Sequence, residues 1–128
     1  MRKTRSKKVK KNKSKMTTYE KNLSEPWFSL IQLKCKTVEG RLNKGDFANM
    51  KVGDIIIFAN NELGFERKFE AKIKEINNYD NFEQYLQTET LAKCLPTIGN
   101  IEDGLKVYYK YYSKEDEEKY KIRAFKFE

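Results

Sequence analysis

Histidine is absent from all 128 residues. That absence removes histidine general-base chemistry, the Ser-His-Asp constellation and H-E-x-x-H zinc sites together, so any catalysis here would have to run on Lys, Glu, Asp, Tyr, Thr, Ser or Cys. Cysteine is scarce: Cys35 and Cys94 stand alone with no C-x-x-C spacing. This argues against a zinc ribbon or a disulfide framework, fits a reducing, intracellular setting (cytoplasmic or nuclear), and predicts two buried thiols. Long apolar runs are missing as well. The longest, Ile55 to Ala59, falls far short of the ~20 residues of a membrane span, and no apolar segment follows the basic start as it would in a signal peptide. No membrane partner is expected.

Acidic residues are absent from the first 16 positions, which hold nine bases: Arg2, Lys3, Arg5, Lys7, Lys8, Lys10, Lys11, Lys13 and Lys15. Of the 27 bases, 18 remain to face all 19 acids over residues 17–128, so the net charge of +8 belongs to a tail and the body is close to neutral. A block of like charge without apolar residues buries too little to offset its ordering entropy. Residues 1–17 are therefore expected to lack a fixed fold and 18–128 to form one domain. Such a tail suits phosphate contacts, nuclear import or solubility alike.

Within the body, Pro26 opens a short helix carrying Trp27, Leu30 and Ile31 on one face. Thr37, Val38 and Gly40 predict an extended segment with Thr37, Glu39 and Arg41 on one side. The turn Val52-Gly53-Asp54 leads into a buried strand from Ile55. Asn60 to Gly64 reads as a hairpin loop, and an alternating strand follows from Phe65 to Ile76 with Phe69, Ala71, Ile73 and Glu75 sharing a side. Asp80 is the expected cap of a helix bearing Phe82, Tyr85 and Leu86. Short helical pieces over Leu91–Leu95 precede a helical stripe of Ile101, Leu105, Tyr108, Tyr109 and Tyr112. Ser113 caps the acidic run Glu115–Glu118, and Ile122 to Phe127 form a last strand. The succession predicts an α+β fold, a closed or nearly closed barrel of about five to six strands decorated by short helices.

The segment Cys35-Lys36-Thr37-Val38-Glu39-Gly40-Arg41 concentrates the potential chemistry. With Pro26-Trp27-Phe28 before it and Val52-Gly53-Asp54-Ile55 after it, it resembles the ASCH family, a branch of the PUA-like small barrels with the hallmark G-x-K-x-x-E-x-R. Lys36, Glu39 and Arg41 match, and Cys35 stands close to where the glycine falls. From the residues alone, a Glu39–Arg41 pair fixing a loop beside a solvated Lys36 is the simpler reading. The resemblance implies instead that Lys36, Glu39 and Arg41 line a ligand cleft and bind RNA or a nucleotide; Tyr111, off the helical stripe, and Trp27 and Phe28, near the motif, are the candidate stacking rings.

Some small ASCH members are amidohydrolases acting on N4-acetylcytidine, with a lysine, a threonine three residues on and a strand glutamate. Here Glu39 occupies the threonine position, and Glu70, Lys72 and Glu75 are the nearest strand candidates. If the chain is an enzyme, Lys36 as base and Glu39 as carboxylate are the expected pair. A coactivator-type protein-interaction module is the third reading. A monomer is expected, with neither metal nor cofactor called for.

Overall fold

The structure is a computed structural model that describes residues 15–128; the expectation that the tail lacks a fold, and its contacts from Arg2 to Lys13, lie outside the described residues. Lys15 is exposed, and Thr17 is tied to the domain: its N–H donates to Asp54 Oδ1 at 2.8 Å and its carbonyl accepts from Ile55.

Among the described residues, five strands form one mixed sheet: β1 (Thr18–Asn22), β2 (Val38–Leu42), β3 (Ile55–Asn60), β4 (Arg67–Tyr79) and β5 (Ile122–Phe127). Their spatial order is β1-β3-β4-β5-β2; β1 and β3 run parallel and every other pair is antiparallel. The barrel is thus a curled half-barrel rather than a closed one. Its outer strands β1 and β2 share no ladder, but the Arg41 guanidinium on β2 donates to the Asn22 carbonyl on β1 at 3.3 Å. That carbonyl is open because Leu23, the next residue, turns its N–H to Ala59 on β3. The α+β class and the PUA-like architecture are those the sequence predicts.

Among the described residues, six helices surround the sheet: α1 (Trp27–Gln32), α2 (Asp46–Asn49), α3 (Phe82–Glu89), α4 (Leu91–Cys94), α5 (Ile101–Tyr109) and α6 (Lys114–Tyr120). Local chemistry explains their starts, with corrections to the sequence reading. Pro26 is the residue before α1, and the Ser29 N–H is satisfied by Glu25 Oε1 at 3.1 Å. Asn81, not Asp80, caps α3 by accepting from the Gln84 N–H at 2.7 Å, while Gln84 reaches back to the Asp80 N–H. Ser113 caps α6 as expected, accepting from Asp116. A register shift between Ile73 and Glu75 inverts the alternation of β4, so Ile76 turns inward and Glu75 is exposed.

Apolar residues gather in two clusters. Phe28, Ile31, Ile56, Phe58 and Ile73 pack under α1, whereas Val38, Leu86, Leu95, Tyr108 and Ile122 pack beneath α3 to α5. Trp27 touches both. The space at this seam, where α1, β2 and the end of α5 converge, is a cavity.

Candidate nucleotide site

The chain leaves α1 through Lys34, whose φ of 66° is the left-handed region that favours glycine. The turn therefore sits two residues before Lys36, where the family glycine falls, and Cys35 is simply exposed; only Cys94 is a buried thiol. The Cys35 and Lys36 N–H groups both return to the Leu30 carbonyl, at 2.9 and 3.0 Å, and the Thr37 N–H donates to the Lys93 carbonyl at 3.1 Å. These bonds drive the Lys36 side chain inward. It is 2% exposed, and its ammonium meets three acceptors: the Val38 carbonyl at 2.7 Å, the Cys94 carbonyl, and Glu39 Oε1 at 3.2 Å.

The two carbonyls and the Glu39 carboxylate thus enclose the ammonium and turn it away from solvent. Glu39 is itself shared, with Oε2 accepting from Arg41 Nε at 2.6 Å. Burial opposes ionisation of Glu39, but the Lys36 ammonium and the Arg41 guanidinium outweigh it and hold its carboxyl below the usual range. Burial likewise disfavours the Arg41 cation, and Glu39 reverses the balance, raising the arginine's pKa. Arg41 lies over the Phe47 ring at 4.8 Å and keeps N–H donors beyond its bonds to Glu39 and Asn22.

Gly40 lies between these residues because a ring occupies the space above it: a Cβ would stand 2.5 Å from Tyr85 Cζ. Tyr85 in turn shares a hydroxyl–hydroxyl hydrogen bond of 2.9 Å with Tyr108, which faces the cavity.

The cavity measures about 600 Å³. Lys36, Glu39 and Arg41 form its floor, Trp27, Tyr108 and Tyr112 line its walls, and Tyr111 stands at the rim with its hydroxyl 3.4 Å from Ser24 Oγ. Of the six residues the sequence reading assigned to a ligand cleft, Lys36, Glu39, Arg41, Trp27 and Tyr111 line this cavity and Phe28 does not. That ring is 1% exposed in the core, and Trp27, its neighbour in sequence, is the ring that reaches the cavity. Tyr112, Asn60 and Glu62 also line it and were missed. Tyr112 had a helical-stripe reading, and the helix ends three residues earlier; Asn60 ends β3 and Glu62 lies in the loop after it, a stretch whose sequence carries no site signal. Glu70, Lys72, Glu75 and Thr37 are exposed and absent from the lining. Among the described residues, no group of three or more Asp, Glu and Cys side chains is placed to hold a metal ion, and no helix is long and apolar enough to cross a membrane.

The ASCH domain family model matches residues 22–128, the span that carries this floor and its walls. The chain belongs to the ASCH domain family. Solved structures agree. The crystal structure of hypothetical protein PH0355 is similar at 35% identity, with a TM-score of 0.79 over 88% of this chain and 98% of that one. The solution NMR structure of protein PF0455 from Pyrococcus furiosus is similar at 36% identity, with a TM-score of 0.71 over 88% and 96%. No match was found among curated proteins. In this ASCH domain the motif lysine and glutamate brace one another, and the motif arginine retains free hydrogen-bond donors.

Proposed function

We propose that this ASCH domain binds RNA, taking one nucleotide into the cavity while the basic segment ahead of it contacts the phosphates. The cavity carries the reading. Its volume of about 600 Å³ lies in the range of small-ligand sites, and its lining combines aromatic rings with a few fixed polar groups. A planar base offers each ring a stacking face, and the free N–H groups of Arg41 suit a base acceptor or a bridging phosphate. Because Lys36 and Glu39 neutralise each other, the floor contributes little net positive charge. Attraction for the polyanion falls to the nine bases of residues 1–16, which add affinity and salt dependence without reading sequence.

Titrating single-stranded RNA against the full chain and against residues 17–128, across a range of salt, tests this division. The full chain is expected to bind more tightly with the steeper salt slope. Arg41→Ala should lower affinity by about 1–3 kcal/mol in both forms. Equal slopes would remove the basic segment from the mechanism. Loss of all binding on truncation would make the folded domain a passenger.

A further inference from the structure

We infer that Glu62 sets base specificity in this cavity by selecting a nucleobase that presents an exocyclic amino group. The inference rests on the cavity being a nucleotide site. Glu62 lies in the loop joining β3 to β4, exposed to solvent, and contributes to the cavity lining. An exposed glutamate in a hairpin loop ordinarily samples many rotamers. This one is pinned: Oε1 accepts from the Glu25 N–H at 2.8 Å and from Asn60 Nδ2 at 2.5 Å, and its own N–H donates to Asn60 Oδ1 at 3.0 Å.

Asn60 is itself 3% exposed, donating to the Leu23 carbonyl at 2.9 Å and accepting from Arg67 at 2.8 Å. The network therefore ties the turn before α1 to the loop after β3, two parts of the cavity wall, and holds the Glu62 carboxylate between them. Oε1 is engaged twice, whereas Oε2 has no hydrogen-bond partner among the described residues. Hydrogen bonds from Asn60 and the Glu25 N–H hold the Glu62 carboxyl below its usual range, so it is ionised at neutral pH.

An ionised carboxylate only accepts. A base edge that brings an amino group to Oε2 gains a charge-assisted hydrogen bond, and one that brings a carbonyl there meets repulsion. Arg41, on the floor of the same cavity, only donates. An acceptor at the rim and donors at the floor complement a base that carries an amino group beside acceptors, as cytosine and guanine do. Uracil and hypoxanthine carry carbonyls and ring N–H groups but no exocyclic amine.

Glu62→Gln separates this role from the structural one, because a glutamine keeps the oxygen that accepts from Glu25 and Asn60 and replaces only the free one. The full-length protein and the variant are titrated by NMR with uncharged nucleosides, to which the basic segment contributes no phosphate contact, in the pairs cytidine/uridine and guanosine/inosine. The wild type is expected to favour the amino-bearing member of each pair by about tenfold or more. Glu62→Gln should reduce that preference to within about twofold, with an unchanged thermal midpoint. A wild type that binds both members equally, or a variant that keeps the full preference, overturns the role of Glu62 and leaves the nucleotide site standing. Absence of any nucleoside response at the cavity tyrosines and Trp27 overturns the nucleotide site itself.

Discussion

Lys36 and Arg41 are both cations of the same motif, yet they do different work because their surroundings differ. The Lys36 ammonium is enclosed by two carbonyls and Glu39, whereas the Arg41 side chain is 16% exposed and bridges the open edges of the sheet. Removing the Lys36 side chain leaves Glu39 its bond to Arg41 but strips the buried Val38 and Cys94 carbonyls of their donor and opens a void, at a cost of about 2–5 kcal/mol. Lys36→Ala should therefore lower the free energy of urea unfolding by about that amount, and any loss of RNA binding should follow the loss of fold. For Arg41→Ala the cost to stability is expected to be about 1–2 kcal/mol, since Glu39 keeps Lys36 and faces a cavity that admits water. Equal stability losses in the two variants would show that the enclosure of Lys36 does not govern its energetics. The motif reading treated both cations as ligand contacts, because the sequence shows charge and spacing but not which acceptors surround an ammonium.

The turn that ends α1 decides where the motif points. Lys34 adopts a left-handed conformation that costs an L-residue about 1–2 kcal/mol, and glycine would avoid that cost while gaining unfolded-state entropy worth about 0.4–1 kcal/mol. Lys34→Gly should thus be neutral or stabilising by up to about 1 kcal/mol, even though the Lys34 contact with the Glu128 carbonyl is lost. Cys35→Gly, one position on and outside the positive-φ residues, should destabilise by about 0.5–1 kcal/mol. Thermal unfolding of the two variants decides the matter, and destabilisation by Lys34→Gly would locate the strain elsewhere. Within α1 itself, Trp27 and Phe28 are successive aromatics about 100° apart around the axis. Either could face the cavity on sequence grounds. The packing of Phe28 against Phe69, at 4.9 Å between ring centroids, settles which does.

Across the whole domain, the carboxyls of Glu39, Glu89 and Asp54 are all held below their ordinary values: burial opposes each ionisation, and cations or N–H and O–H donors outweigh it. A depressed folded pKa contributes stability that is fully present above the unfolded value and lost as pH falls through the folded one. The thermal midpoint should accordingly be level near neutrality and fall as pH drops below the ordinary carboxyl values of 4.5 and 3.8. Glu39→Gln should lower the neutral midpoint and flatten that acid limb; an unchanged acid limb would place the proton uptake on other groups. The sequence by itself determined the segregation of charge into residues 1–16, the ASCH motif, the caps at Ser113 and the last strand, because these depend on neighbours within a few positions. Tertiary structure alone decided that the barrel stays open between β1 and β2, that β4 inverts its alternation at Ile73–Glu75, and that Lys36 is enclosed while Glu62 is pinned at the rim. Each of these depends on groups distant in sequence, such as the Cys94 carbonyl beneath Lys36 and the Glu25 N–H beside Glu62, and local pattern carries no record of which distant backbone groups a side chain will meet.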